Sequence, residues 1–123
     1  MINIPKGSIA IINQTAPYGS SKGQESLELA LAMSNFGQAV SLFFVEDGVW
    51  QLIQNQDPKK IDSKAYHKTF AALEFYEIEN IFVCKQSLVK RNISVESLCI
   101  PVTIIEQTAT PALLAKHVKS MVF

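Results

Sequence analysis

Along this chain, short continuous apolar runs alternate with longer stretches whose apolar residues recur every three or four positions. The first run, residues 8–13 (SIAIIN), predicts a buried strand. Residues 14–23 (QTAPYGSSKG) follow as a loop, punctuated by Pro17, Gly19 and Gly23. Residues 24–36 predict a helix, with Leu29, Ala32, Met33 and Phe36 on one face and Leu27, Ala30 and Leu31 on an adjoining one. Its coherent polar strip is limited to Gln24, Glu28 and Asn35. So wide an apolar arc exceeds what a helix on a monomer's surface needs, and it predicts contact with a second chain as well as with the sheet.

Residues 39–45 (AVSLFFV) predict a second strand, ended by a turn at Glu46-Asp47-Gly48, and residues 49–53 (VWQLI) one helical turn. A polar loop containing Pro58 and Lys59-Lys60 runs through Asp62, and residues 66–76 predict a second long helix with Phe70 and Leu73 on its buried side. A third strand is expected at 80–84, a short helix at 86–91 and a fourth strand at 103–105. Residues 110–118 predict a last helix, with Thr110 as N-cap and Pro111 in its first turn, and 120–123 an edge strand. Strands alternating with helices predict one α/β domain, its mostly parallel sheet covered by helices on both faces. No repeat, low-complexity tract or linker divides the chain, and its 123 residues suit one core.

Composition narrows the function. Apolar residues make up 48% of the chain, and eleven basic against eleven acidic side chains leave no net charge. That argues against direct nucleic-acid binding, which draws on a basic excess. Residues 1–10 are too short and polar for a signal peptide, and no apolar run approaches membrane-spanning length. Two cysteines without metal-ligand spacing give neither a disulfide framework nor a zinc site, so a cytoplasmic domain with reduced thiols is expected.

Cys84 is the strongest chemical candidate. It closes the run Ile81-Phe82-Val83 and precedes a predicted helix rich in Lys85, Lys90 and Arg91, a setting that favours thiolate. The competing reading is a small apolar residue closing a strand. Cys99, between Leu98 and Ile100, reads as core or interface packing. Gly19–Gly23 (GSSKG) before a helix has the look of a phosphate-binding loop but fits neither GxGxxG nor GxxxxGK[ST], so no cofactor is expected. Glu46 and Asp47, adjacent in sequence, read as a turn and cap rather than paired catalytic carboxylates. His67 and His117 have no ligand-spaced companions. Trp50, with Val49, Leu52 and Ile53, is either core or an aromatic anchor for a partner.

Three stretches together carry a family resemblance: APYGSSKGQESLELALA (16–32), FFVEDGVWQL (43–52) and FVCKQSLVKR (82–91). The first is similar to the pattern A-P-x-G…G-x-E-x-L-x-x-x-L-A and the second to F-F-x-x-D-G-V-[FW]-Q-L, both found in the TusC (DsrF-like) subunits of the DsrE/F/H-type sulfur-relay family. The similarity spans nearly the whole chain, leaving residues 1–7 as a variable extension. It implies a mostly parallel five-stranded sheet. It also implies one subunit of a complex with TusB-like and TusD-like paralogues, commonly two copies of each. That complex passes persulfide sulfur from a TusA-like donor to a TusE-like acceptor, toward 2-thiolation of wobble uridine in transfer RNA. The family's sulfur-carrying cysteine is usually assigned to the D-type subunit, although Cys84 matches the corresponding position after a strand. The resemblance therefore implies a structural or docking subunit. Its alternatives are a sulfurtransferase in its own right, with Cys84 as persulfide carrier, and a DsrF-like subunit of a sulfur-oxidation complex. Leu27, Leu31, Phe44, Val49 and Trp50 are the expected partner contacts. Asn92 departs from the family by replacing a glycine after the arginine, and asparagine tolerates the left-handed conformation required there.

Overall fold

A computed structural model describes residues 2–17, 19, 21–53, 73 and 78–123. Five parallel strands lie side by side in the order β4-β3-β2-β1-β5. They are β1 (Ile9–Asn13), β2 (Val40–Phe44), β3 (Ile81–Cys84), β4 (Thr103–Ile105) and β5 (Lys119–Val122). Among the described residues the α-helices given bounds are α1 (Lys22–Asn35), α2 (Lys85–Lys90) and α3 (Thr110–Leu114). A seven-residue 3-10 helix, Glu46–Leu52, follows β2. The expected fold class is the observed one, with every strand pair parallel.

Connection handedness sets the layers. From β1 to β4 the chain steps in one direction across the sheet, and right-handed crossovers place these connections on one face. There α1, the 3-10 helix, Leu73 and α2 bury Leu27, Ala30, Val49, Leu52 and Leu88 against Ile11, Leu42, Phe44 and Val83. The step from β4 back to β5 reverses direction, so α3 lies on the other face. That face has a smaller core of Ala10, Phe43, Phe82, Ile105 and Leu113. Ile2 and Ile4 pack against it, so residues ahead of the first strand help to cover the sheet.

Local chemistry fixes the helix ends. Gly37 is left-handed at φ 83°, which lets Gln38 N–H donate to Met33 O at 3.0 Å and closes α1. Asn92 does the same for α2 at φ 54°, with Ile93 N–H donating to Leu88 O at 3.0 Å. Two expectations are corrected. The last helix stops at Leu114 instead of Val118, because His117 turns back to the sheet and Val118 N–H already donates to Ser8 O at 2.9 Å. Thr110 is its first residue rather than its N-cap; the cap position falls on Ala109. On α1 the buried face is Gly23, Ser26, Leu27 and Ala30, while Ala32 is exposed and Phe36 is 88% exposed. Of the two apolar faces, the one with Leu27 and Ala30 is packed inside the domain, and the exposed apolar excess lies at Ala32 and Phe36 on the other. The helix expected at 66–76, with His67, lies outside the described residues except for Leu73, which is helical and buried.

Candidate functional site

In open parallel sheets, ligands and reactive groups collect at the carboxyl ends of the strands, and the polar structure of this molecule concentrates there. Asn13, the last residue of β1, is fully buried; its Nδ2 donates to Phe43 O at 3.4 Å, and its Oδ1 accepts from Ser26 Oγ. One side chain thus joins β1, β2 and α1. Gly48 lies directly above, its Cα against the Asn13 carbonyl, and a Cβ there would stand 2.5 Å from Asn13 C and closer still to Asn13 O. Gln51 is buried and its Nε2 donates to Thr15 O at 2.8 Å, tying the loop after β1 to the 3-10 helix. The DGVWQL run is therefore a knot over the strand ends, with Val49 and Leu52 as its apolar side.

Glu46 and Asp47 do not converge on a reactive centre. Both meet Arg91, whose Nη2 lies 3.6 Å from Glu46 Oε2 and 2.9 Å from Asp47 Oδ1. Arg91 Nε also donates to Asp47 Oδ1 at 3.0 Å, and Nη1 to Ser87 O at 3.2 Å. Ser87 Oγ in turn accepts from Glu46 N–H at 2.9 Å, which satisfies a backbone held at φ 49°. Arg91 is only 17% exposed, so the clamp joins the 3-10 helix to α2 with one partner largely desolvated. We expect Arg91→Ala to cost about 1–2 kcal/mol, more than an open surface pair, because Ser87 O and the carboxylates lose a shared donor. Urea denaturation measures this, and an unchanged midpoint would reduce the clamp to a surface contact.

Cys84 ends β3 opposite Ile105 of β4 and is 4% exposed. Among the described residues its hydrogen-bond partner is Gln86 Oε1, at 3.9 Å from Sγ. Gln86 belongs to a bridge between the two strand ends: its Oε1 accepts from Gln107 N–H at 2.7 Å, and its Nε2 donates to Glu106 Oε2 at 2.5 Å. Lys85 Nζ donates to the other carboxylate oxygen of Glu106 at 3.4 Å. The Gln86 hydrogen bond, followed by the bond and charge of Lys85, holds the Glu106 carboxyl below its ordinary value. Cys99 is half-buried, its N–H donating to Leu52 O at 2.7 Å, and burial pushes its thiol up. His117, the histidine among the described residues, bonds to Ser41 of β2 and not to Cys84, and His67 lies outside the described residues. Leu113 O can only accept, so it fixes the proton on His117 Nδ1 (2.9 Å), and Ser41 Oγ donates to Nε2 at 2.7 Å in the neutral ring.

The expected partner contacts divide. Leu27, Phe44 and Val49 are fully buried in this chain's own core and offer no surface, which corrects their assignment as contacts. Leu31 and Trp50 are half-buried, Leu31 packing against the larger core. The GSSKG loop is described at Gly19, Ser21, Lys22 and Gly23; Gly23 is buried and Ser21 Oγ donates to Glu25 Oε1 at 3.0 Å. A cavity of about 420 Å³ opens at the opposite, amino-terminal edge, beside Asn3, Gln38, Glu79 and Asn80, away from Cys84. Among the described residues no cluster of histidine, cysteine and carboxylate side chains could hold a metal ion, and no helix is long and apolar enough to cross a membrane.

A five-stranded parallel sheet with a cysteine closing an interior strand at its carboxyl edge defines a class of small α/β domain. The DsrE/DsrF-like family model matches residues 7–123, and the chain belongs to that family. Within it, the chain is 39% identical over 115 residues to a "Protein TusC homolog" of Aliivibrio fischeri, covering 94% of this chain and 98% of that one. It is 34% identical over 110 residues to a "Protein TusC homolog" of Vibrio vulnificus, covering 89% and 93%. The crystal structure of the ychN protein from E. coli shares the fold, with a TM-score of 0.80 at 24% identity over 94% of this chain and 98% of that one.

Proposed function

We propose that this chain is a structural or docking subunit of a cytoplasmic sulfur-relay complex acting toward tRNA 2-thiolation. Its partners in this reading are TusB-like and TusD-like paralogues, two copies of each, between a TusA-like donor and a TusE-like acceptor. The observation that carries the reading is the closed position of Cys84, at 4% exposure. In a relay step the acceptor thiolate attacks the outer sulfur of a donor persulfide, breaking its S–S bond and releasing the donor thiolate. Such an exchange needs both sulfurs open to approach, and Cys84 is enclosed. The similarity to TusC homologues supports the same reading, as do the exposed Phe36 and the half-buried Leu31 and Trp50.

Tagged protein purified from its own host under reducing conditions tests this. We expect a stable assembly with two distinct small paralogues, and Cys84→Ala to leave both the assembly and relay activity intact. A lone monomer or homo-oligomer would overturn the docking role. Relay lost in an intact Cys84→Ala assembly would instead establish the carrier reading, which draws on the place of Cys84 at the carboxyl end of an interior strand.

A further inference from the structure

We infer that the Gln86 side chain is a latch that closes the carboxyl-end crevice between β3 and β4 and can open it without unfolding the domain. β3 and β4 stay paired to their last residues, Cys84 and Ile105. Beyond them the chains diverge, one into α2 and the other toward α3, which lie on opposite faces of the sheet. A gap is the natural result of that divergence, and the bonds of Gln86 span it. The amide is held at both ends from the β4 side, by Gln107 N–H at 2.7 Å and by Glu106 Oε2 at 2.5 Å, and its oxygen also faces Cys84 Sγ at 3.9 Å. Glu106 and Gln107 are exposed, and the Lys85–Glu106 pair that steadies the carboxylate is more than half exposed on both sides. The bridge is thus made of solvent-accessible hydrogen bonds lying outside both cores, the kind that open locally at small cost. With the latch shut, sulfur donors are kept from Cys84; with it released, the thiol becomes reachable.

This inference rests on the docking-subunit reading for its purpose, which is to keep relay sulfur from being trapped on this chain. Its mechanics are tested separately. Full-length protein is pulsed with iodoacetamide, and alkylation of Cys84 and Cys99 is read peptide by peptide by mass spectrometry, with Cys99 as internal reference. We expect Cys84 to react far more slowly than Cys99 in the unmodified chain. Gln86→Ala should accelerate Cys84 about tenfold or more and leave Cys99 unchanged, because only local opening is altered. Glu106→Ala, which does not touch Cys84, should accelerate it in the same direction and keeps the test intact if Gln86→Ala fails to fold. Folded variants in which Cys84 reacts within twofold of the unmodified chain would overturn the latch. So would an unmodified Cys84 that already matches Cys99. Neither result bears on whether Cys84→Ala sustains relay, so the two readings fail independently.

Discussion

Gly48→Ala is expected to lose about 3 kcal/mol or more, lowering the melting temperature by about 10 °C. The added methyl would stand 2.5 Å from Asn13 C and 3.0 Å from Gln14 N, and closer still to Asn13 O. None of these is the end of a flexible side chain. Asn13 O already accepts from Val45 N–H at 3.0 Å, so moving it breaks the connection that carries β2 into the 3-10 helix. Relief would require the 3-10 helix to lift, which strips Val49 and Leu52 from the larger core. Gly37→Ala is the control: it meets nothing within 4 Å, and its cost is that of a left-handed φ of 83°, about 1 kcal/mol. Thermal melting of both variants separates crowding from conformation. Equal losses would show that the contact over Asn13 relaxes freely.

Phe43→Ala carries the second large effect. Phe43 is fully buried at the centre of the smaller core, its ring 4.9 Å from Phe82 and 5.7 Å edge-on from His117. Removing the ring leaves a cavity on the face that α3 and the first residues of the chain cover, where little else is available to collapse inward. We expect a loss of about 3–5 kcal/mol, against about 1 kcal/mol for Phe43→Leu. Urea denaturation of the pair reads the difference, and a loss below about 1 kcal/mol for the alanine variant would mean that the covering segments settle into the space.

Strands were legible because they are short apolar runs of a parallel sheet buried on both faces, as in VSLFF, where all five residues are buried. Helix faces were harder to read. On α1 the buried surface includes Gly23 and Ser26, small residues that a count of large apolar side chains passes over, and Ser26 bonds Asn13 at the end of β1. The end of α3 was hidden for a tertiary reason: the bonds of His117 to Ser41 and Leu113 turn the chain before periodicity would. Cys84 was placed correctly at a strand end and helix start. Its enclosure was not legible, because it depends on Gln86 meeting Glu106 and Gln107 some twenty residues on. Asn13 offered a signal that could have been used, a polar side chain closing an apolar run before a loop. Leu27, Phe44 and Val49 belong to motifs that read as docking surface and serve instead as core.

The position of β5 beside β1 has a consequence for how the molecule comes into being. The two paired strands are roughly 110 residues apart in the chain, and Gln14 N–H donates to Phe123 O at 3.0 Å to finish the ladder. During synthesis β1, β2 and β3 can associate as they emerge, but β1 stays an open edge until residues 119–122 have emerged to pair with it. Until then the protein displays one open edge of an apolar strand, Ile9–Asn13, to its neighbours. Chaperone protection of the nascent chain, or capture by a partner made at the same time, would matter most in that interval.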